Sequence, residues 1–424
     1  MRIRFCLFAA LLLACGPRLH QRAATVPVVR EMETPRAPAA ADTGQIVRIP
    51  APTGPYRVGR ATFHAIDPAR DEAFTPEPDD RREVIFHVWY PAAEEGGVPA
   101  AFTAEVPDDS IFRRSYSFIG VEKLPRVRAN AFADAPVSGA ERRYPVILFS
   151  HGLGAVAAMY TSFQEDLASH GYVVVGVDHP YFSAAFQLPG GRTVRNLSRP
   201  ASRQQDVLTQ AQDLRFVLDA LELLDREGPG RLRGRLDLER VGVFGQSRGG
   251  FAAPHACRLD RRFDACANLD GYSLTPAVMD SGIAQPYLHV EELVPWQPAP
   301  TDSELVAAGQ TREQAIAEAA ADSLRREATF RRMGPGAVLV TVRGARHASF
   351  SDQPLIAPER YRDIAIDARR ALQITRAYLL AFFDLHLRNR PPSLLGPIPP
   401  PYPEVTVEFY DPAGPTRVLR GTVP

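Results

Sequence analysis

A serine flanked by glycines stands at a strand-to-helix junction of the sequence. Gly245-Gln-Ser-Arg-Gly249 follows a strand-like segment, 240–244, and precedes Gly250-Phe-Ala-Ala, which is typical of a helix start. A turn this sharp has room only for glycine at its flanks, and it lifts the serine hydroxyl out of the sheet. Backbone N–H groups at the helix N-terminus can then stabilise a developing negative charge. The pattern predicts that Ser247 is the nucleophile of a serine hydrolase.

A general base is needed, because a free serine hydroxyl is a poor nucleophile near neutral pH. His347 follows the last predicted strand, in a loop that reaches the sheet edge at which the serine turn also points. The chain order serine, acid, histidine favours this late histidine as the base. His151 and His179 also follow strands and are credible site residues. The structural alternative for His347 is a loop histidine that caps the last helix.

Three carboxylates compete for the role of the acid that orients the imidazole. Asp270 ends the predicted strand 264–270, directly after the serine unit, whereas Glu291 and Glu292 end the next strand. Either strand end could reach the histidine and stabilise its cation. From the residues alone the choice stays open, and a helix N-cap or a solvated acidic pair are the structural alternatives.

Two backbone amides are candidates for an oxyanion hole. The N–H of Arg248 follows the nucleophile, and a second donor is expected in His151-Gly-Leu-Gly154, the loop after an early strand. The two glycines let this loop turn its amides towards the site, which makes Leu153 the second candidate. An ordinary strand-to-helix turn is the alternative.

These residues are far apart in the sequence, so a fold must bring them together, and the hydrophobic pattern predicts such a fold. Apolar strand-like runs alternate with helical segments, which predicts a parallel, right-handed α/β sheet. The predicted strands are 145–150, 171–178, 240–244, 264–270, 285–290 and, as the last of them, 337–342. Helices are predicted at 159–169, 202–226 and 358–387, and the strand 83–90 can pair with 56–63. A helical insertion, 295–333, is expected as either a lid or a solvated surface segment.

The N-terminus reads as an export signal. Arg2 and Arg4 precede a short apolar run that ends in Leu12-Leu-Ala-Cys15, a pattern similar to the bacterial lipobox. We therefore expect a signal peptide at 1–14, lipid on Cys15, a disordered tether at 15–50 and a catalytic domain at 51–424. An exported bacterial lipoprotein, membrane-anchored in the periplasm or at the cell surface, is the corresponding location. An ordinary signal peptide and a retained anchor are the alternatives.

Composition and the remaining motifs exclude other classes of function. The formal net charge is zero, so no overall field favours nucleic acid. No metalloprotease, phosphate-loop or dinucleotide motif is present, and we expect no metal or other cofactor. Cys257 and Cys266 could form a disulfide in an exported protein or remain two buried thiols, and the sequence leaves both open.

Several motifs occur in the same order as in a known family. They are Leu148-Phe-Ser-His-Gly-Leu-Gly-Ala155, Asp166-Leu-Ala-Ser-His-Gly-Tyr172, Gly245-x-Ser-x-Gly-Gly250, Leu269-Asp270 and His347-x-x-Phe-x-Asp352. Over roughly residues 83–390 the chain resembles the plasma-type, calcium-independent platelet-activating factor acetylhydrolases. The resemblance implies an α/β-hydrolase fold and hydrolysis of short or oxidised acyl esters of phospholipids without a metal.

The resemblance also assigns residues. It implies Asp270 as the acid, and Leu153 and Arg248 as the donors of the oxyanion hole. Gln246 and Arg248 depart from the His and Phe that commonly flank the family's serine, so the arginine could attract an anionic head group or form a surface ion pair. Other expectations stay open: a lipase, cutinase or polyester-type esterase of the same fold, a serine acyltransferase, or a catalytically idle lipid-binding lipoprotein.

Overall fold

The structure is a computed structural model. It describes residues 26–37, 45–103, 110–198, 203–228, 230–271, 275–293, 305, 311–414 and 416–421. The predicted signal peptide and the lipid-attachment residue Cys15 lie outside the described residues.

Fourteen strands of the described chain form one sheet, and two more, β9 and β10, form a separate hairpin. Across the main sheet the order is β16-β15-β14-β13-β12-β11-β7-β8-β4-β3-β6-β2, with β1 paired to β3 and β5 to β6. The strands are β1 (Val28–Met32), β2 (Val47–Arg48), β3 (Arg57–Asp71), β4 (Arg81–Ala92), β5 (Val98–Ala101), β6 (Val127–Ala133), β7 (Tyr144–Ser150), β8 (Val173–Asp178), β9 (Ala185–Gln187), β10 (Thr193–Arg195), β11 (Leu236–Gln246), β12 (Ala265–Leu269), β13 (Tyr287–Glu292), β14 (Ala337–Val342), β15 (Val405–Tyr410) and β16 (Arg417–Arg420).

Helices connect the strands and cover both faces of the sheet. The α-helices are α1 (Ser110–Ser115), α2 (Thr161–Ser169), α3 (Arg203–Glu227), α4 (Arg248–Leu259), α5 (Pro276–Ser281), α6 (Arg312–Phe330), α7 (Gln353–Ile356) and α8 (Ala368–Arg388). Among the described residues no helix combines the length and the apolar character needed to cross a membrane.

The centre of the sheet is parallel. Strands β8, β7, β11, β12, β13 and β14 pair in parallel in that order. Every residue of β7, β8 and β12 is buried, because helices pack on both faces and continuous apolar runs fit such strands. The two faces carry two large hydrophobic clusters, one towards α2 and α8 and one towards α3 and α4. The predicted α/β class is confirmed, and the carboxyl ends of these strands share one edge.

Several predicted boundaries differ from the structure. The predicted tether, 15–50, is wrong for Val28–Met32, which pairs antiparallel with β3, and for Val47–Arg48, which pairs with β6. The sheet does not end at β14, because β15 and β16 add two antiparallel strands beyond it. The last long helix begins only at Ala368, where the Asp367 side chain accepts a hydrogen bond from the Arg370 N–H and caps it.

The helical character predicted for 295–333 is confirmed for the part that the structure describes. Helix α6 lies between β13 and β14 and begins with a capping box formed by Thr311 and Gln314. Its Arg326 forms an ion pair with Glu291 at the end of β13. Whether the insertion acts as a lid stays a prediction.

Cys257 and Cys266 form a disulfide, with Cα atoms 6.7 Å apart. Both residues are buried. The bond joins α4, the helix that begins after Ser247, to β12, the strand that ends before Asp270. It therefore links the two elements that carry the predicted nucleophile and the predicted acid.

We expect the variant Cys257→Ala/Cys266→Ala to unfold more easily, with a free energy of unfolding lower by about 2–3 kcal/mol, because the crosslink restricts the unfolded chain. Urea denaturation followed by circular dichroism measures the difference. Dithiothreitol should destabilise the wild type and leave the double variant unchanged. Equal stability of the two proteins, with no effect of reductant on either, would contradict the crosslink.

Candidate active site

Ser247 occupies a strained turn between β11 and α4. Its backbone angles are φ 54° and ψ −118°, a left-handed conformation that is costly for a residue with a side chain. Close contacts enforce glycine around it. A Cβ at Gly245 would lie 2.2 Å from the Gly249 carbonyl oxygen, and one at Gly249 would lie 2.0 Å from the Ser150 carbonyl oxygen. The turn thus packs directly against the end of β7.

Asp270 follows β12, the neighbour of β11, and is completely buried. Its φ of 55° is left-handed, which aspartate tolerates better than most residues. The Asn268 side chain holds this turn, because its Oδ1 accepts a hydrogen bond from the Gly271 N–H at 2.8 Å. One carboxylate oxygen of Asp270 accepts the Glu292 N–H at 3.1 Å, which fixes the direction of the other.

His347 meets that second oxygen. Its Nδ1 lies 2.6 Å from Oδ2 of Asp270, so Nδ1 carries the proton and donates it to the carboxylate. The Nε2 atom is then left as the acceptor, which is the tautomer that a general base requires. His347 and Ser247 line the same cleft of about 550 Å³, and the His347 side chain is one-third exposed there.

The segment after His347 is anchored from inside the molecule. Asp352 is buried, its N–H donates to the Met159 carbonyl at 2.8 Å, and its Oδ2 accepts the Ser162 N–H at 3.1 Å. Burial raises the pKa of Asp352 to about 7 despite the hydrogen bonds from Ser162. The loop that carries His347 is thereby tied to the beginning of α2.

The structure separates the three competing carboxylates. Glu291 forms an ion pair with Arg326, and one of its carboxylate oxygens lies 3.3 Å from His289 Nε2, so Glu291 faces α6 rather than the cleft. Burial alone would raise the pKa of Glu291, but the hydrogen bonds and charges of His289 and Arg326 outweigh it and lower the pKa. Glu292 lies 3.9 Å from Arg346 and supports Asp270 through its backbone. Among these three, Asp270 is the carboxylate that meets His347.

The candidate oxyanion loop is oriented by a histidine beneath it. The Nδ1 of His151, a fully buried residue, donates to the Gly152 carbonyl at 2.7 Å. In a trans peptide the C=O and the following N–H point in opposite directions, so the Leu153 N–H faces away from the buried ring. Leu153 itself is half-exposed and lines the cleft with Ser247. The Arg248 N–H belongs to the first turn of α4, where amides lack partners within the helix.

The Arg248 side chain does not lie at the cleft surface. It is buried, its Nη1 forms an ion pair with Asp206 at 3.1 Å, and its guanidinium carbon stands 5.9 Å from the centre of the Phe182 ring. Both roles considered for it, attraction of an anionic head group and a surface ion pair, are therefore wrong. The arginine instead ties the start of α4 to α3.

His151 and His179 are structural parts of the interior. Nε2 of His179 lies 3.0 Å from Ser150 Oγ and its Nδ1 lies 2.9 Å from Asp213, with all three residues fully buried. Burial lowers the pKa of His179 and lowers that of His151 to about 4, which favours the neutral form of both rings. This network supports the end of β7 and the loop above it.

The sequence analysis assigned no role to three residues that support the site: Asn268, Tyr160 and Gln246. Tyr160 donates to Gln246 Oε1 at 2.9 Å, and Gln246 Nε2 lies 3.3 Å from both the carbonyl oxygen and Nε2 of His347. No motif marks Asn268 or Tyr160. Gln246 was visible only as a departure from the family's usual residue. Among the described residues no group of three or more histidine, cysteine, aspartate or glutamate side chains is arranged to hold a metal ion.

Comparisons with known proteins confirm the resemblance seen in the motifs. The family model described as platelet-activating factor acetylhydrolase, isoform II, matches residues 41–189, which include the loop at Leu153 and end before Ser247. The platelet-activating factor acetylhydrolase of Cavia porcellus is 28% identical over 258 residues, 52% of this chain and 55% of that protein. The chain thus spans about half the length of such mammalian relatives.

Two further relatives match over more of the chain. A probable 1-alkyl-2-acetylglycerophosphocholine esterase of Arthroderma benhamiae is 24% identical over 392 residues, 84% of this chain and 92% of that protein. The solved structure of a ferulic acid esterase from Streptomyces cinnamoneus has a TM-score of 0.66 and 28% identity, over 85% of this chain and 98% of the other. With the sheet described above, this similarity confirms the α/β-hydrolase fold.

We expect Asp270→Asn to slow the reaction of Ser247 with a fluorophosphonate by about 10³–10⁴-fold, because an amide no longer holds the imidazole in the required tautomer. Intact-protein mass spectrometry over time gives the rate. Glu291→Gln is the matched control, since it removes a neighbouring carboxylate that faces Arg326, and it should change the rate little. A severe effect of the glutamate change with a mild effect of Asp270→Asn would contradict the assignment of the acid.

Proposed function

We propose that this chain, which is similar to the platelet-activating factor acetylhydrolases, is a serine esterase that hydrolyses carboxylic esters through an acyl-enzyme. The observation that carries the proposal is the 2.6 Å contact between Asp270 and His347 in a cleft that Ser247 also lines. A buried carboxylate, an imidazole whose Nε2 is the acceptor and a serine on a strained turn together form the nucleophilic arrangement of serine hydrolases. The esterase names of the relatives support the same reaction.

Each residue then has a defined role. His347 Nε2 takes the proton of the Ser247 hydroxyl as its oxygen attacks the ester carbonyl, while Asp270 stabilises the imidazolium through Nδ1–H. The N–H groups of Leu153 and Arg248 hold the negative oxygen of the tetrahedral intermediate. The imidazolium returns its proton to the leaving alcohol. A water activated by His347 next attacks the acyl-enzyme, and the carboxylic acid leaves with Ser247 restored.

For the substrate we propose phospholipids with short or oxidised acyl chains. The names of the relatives from Cavia porcellus and Arthroderma benhamiae refer to an acetylated ether phospholipid, and the latter relative matches most of both chains. An open cleft of about 550 Å³ with partly exposed Ser247 and His347 suits an ester presented at a lipid surface.

A second candidate substrate is an ester of an aromatic acid. The solved structure that matches this chain over 98% of its own length is an esterase named for ferulic acid. Phe118, Tyr160 and Tyr361 line the cleft and could contact a phenyl ring. A general lipase or polyester-type esterase shares the fold, and the same assays separate these substrates.

We further propose that the protein is an exported lipoprotein, held at a membrane through lipid on Cys15. The lipobox-like segment ending at Cys15 supports this location. The disulfide between Cys257 and Cys266 also favours an oxidising compartment outside the cytoplasm. More than one acyl chain would give stable anchoring, whereas a single chain binds membranes only marginally.

An ester panel tests the proposed reaction. The panel contains p-nitrophenyl esters and glycerophospholipids whose acyl chains lengthen from acetyl, with methyl ferulate and an insoluble polyester beside them. We expect turnover of the phospholipids to be highest at acetyl and to fall with chain length, and Ser247→Ala to lower kcat by more than about 10⁴-fold.

Other outcomes distinguish an error in the proposed substrate from an error in the proposed mechanism. Preference for methyl ferulate or for long chains would replace the phospholipid substrate and leave the serine mechanism intact. Turnover by Ser247→Ala within a few-fold of the wild type would reject the mechanism. If Ser247 is not labelled by a fluorophosphonate and no ester is turned over, the protein is a catalytically idle lipid-binding lipoprotein.

The anchor is tested with Cys15→Ala in a bacterial host that processes lipoproteins. We expect the wild type to incorporate radiolabelled fatty acid and to sediment with membranes, because acylation supplies its membrane affinity. The variant should incorporate none, and its turnover of p-nitrophenyl acetate should equal that of the wild type. Equal incorporation by both proteins, or by neither, would contradict lipid attachment at Cys15.

A further inference from the structure

Gln246 stands beside the nucleophile, and its side chain is almost completely buried between the two halves of the site. Three hydrogen-bonding groups surround its amide. Oε1 accepts from the Tyr160 hydroxyl at 2.9 Å, and Nε2 lies 3.3 Å from the His347 carbonyl oxygen and 3.3 Å from His347 Nε2. The glutamine therefore contacts the base directly as well as its backbone.

The surroundings fix which way the amide points. A carbonyl oxygen can only accept, so the NH₂ group of Gln246 must face the backbone oxygen of His347. Oε1 then faces Tyr160, whose hydroxyl donates to it and accepts the Gly152 N–H at 3.3 Å. In this arrangement the amide oxygen and the amide NH₂ of Gln246 each have a hydrogen-bond partner. If the two atoms were exchanged, Oε1 would face the His347 carbonyl oxygen, and both of these atoms are acceptors.

The result is a continuous chain of hydrogen bonds across the cleft. It runs from the Gly152 N–H through the Tyr160 hydroxyl and the Gln246 amide to the His347 carbonyl. One end is the loop that carries the Leu153 amide, and the other end is the loop that carries the base. A Cβ at Gly152 would lie 2.6 Å from Gln246 Oε1, so the loop and the amide are in close contact.

We propose that Gln246 is a positioning residue of the reaction, which holds the loop of the base against the loop of the oxyanion hole through Tyr160. This inference rests on the proposed esterase function and deepens it. The Leu153 amide follows β7 and His347 follows β14, and three strands lie between these two in the sheet. Without the bridge, the distance between the two loops would be set only through the sheet. A misplacement of about 1 Å in such a site costs about 10²-fold in rate.

Gln246 also reaches the reactive nitrogen of the base. Its Nε2–H can donate to the single lone pair of His347 Nε2, which is the lone pair that accepts the serine proton. The amide therefore has to leave this atom before the proton is transferred. The hydrogen bond to the His347 carbonyl oxygen does not depend on that exchange, so it carries the positioning role.

Other charged and titratable groups around His347 are accounted for. Asp270 contacts Nδ1, Glu292 lies behind Asp270 and near Arg346, and Tyr160 and Tyr361 line the cleft. Burial raises the pKa of both tyrosines, so both stay neutral in the working range. Asp270 remains in place when Gln246 is changed, and the acidic limb of the kcat/KM profile then reports a charge introduced beside Nε2.

The experiment measures kcat, KM and the pH profile with p-nitrophenyl acetate. Gln246→Met keeps the length of the side chain and removes both hydrogen-bonding groups. We expect a fall in kcat of about 10–100-fold with little change in KM. Gln246→Glu places an acceptor near Nε2, stabilises the protonated imidazole and should shift the limb upward by about one pH unit or more.

Tyr160→Phe tests the bridge by breaking it at a second point. Because both changes interrupt the same chain of hydrogen bonds, the fall in kcat for Tyr160→Phe/Gln246→Met should be no larger than about that of the more severe single variant. Gln285→Met is the matched control, since Gln285 is a buried glutamine that donates to the Cys257 carbonyl at 2.9 Å, outside the cleft. It should leave the pH profile unchanged.

Two results would overturn the proposal. One is a Gln246→Met protein whose kcat lies within twofold of the wild type. The other is full additivity of the two losses in the double variant. Failure of the esterase function itself is recognised separately, because the wild type would then turn over no ester, or Ser247→Ala would retain turnover, whatever the Gln246 variants do.

Discussion

The site depends on one backbone constraint, the left-handed turn at Ser247. Its φ of 54° costs about 1–3 kcal/mol for a residue with a side chain. The backbone around Ser247 is closely packed. Gly245 lies against the backbone of Gly249, and Gly249 lies against the Ser150 carbonyl, so neither position has room for a side chain. The surrounding sheet and helix thus over-determine the turn, and the hydroxyl is held where side chains from other strands can reach it.

The parallel arrangement of the central strands allows Ser247, Asp270 and His347 to lie close together. Ser247 follows β11 and Asp270 follows β12, its neighbour, while His347 follows β14 two strands further on. Because these strands run in the same direction, all three residues emerge at one edge. The disulfide between Cys257 and Cys266 joins the helix behind the serine to the strand before the aspartate. The buried carboxyl group and N–H of Asp352 then fix the loop that carries His347.

Much of this arrangement could be predicted from the sequence, because apolar runs and glycine spacing are local signals. The central strands, helix α3 and the serine turn are all marked in this way. Val28–Met32 was missed because it lies on the edge of β3 with its side chains largely exposed, held by backbone pairing that leaves no hydrophobic period. The acid could not be chosen from the residues, since Asp270 and Glu291 both end buried strands. The structure separates them, because Asp270 meets His347 Nδ1 at 2.6 Å whereas Glu291 forms an ion pair with Arg326.

Side-chain direction was the other limit of prediction. Arg248 looked available to a substrate beside the nucleophile, yet its ion pair with Asp206 turns it into the interior. Gln246 was visible in the sequence only as a departure from the family's usual residue, although its amide links Tyr160 to His347. Such roles depend on residues far apart in the chain that meet only once the fold has formed.

The most direct test of the central claim is a crystal structure of the protein after reaction with a fluorophosphonate. The account predicts phosphorus on Ser247 Oγ, the phosphonyl oxygen within about 3.1 Å of the Leu153 and Arg248 nitrogens, and His347 Nε2 within hydrogen-bonding reach of the serine oxygen. An adduct on another residue, or a phosphonyl oxygen turned away from both amides with His347 out of reach, would contradict it.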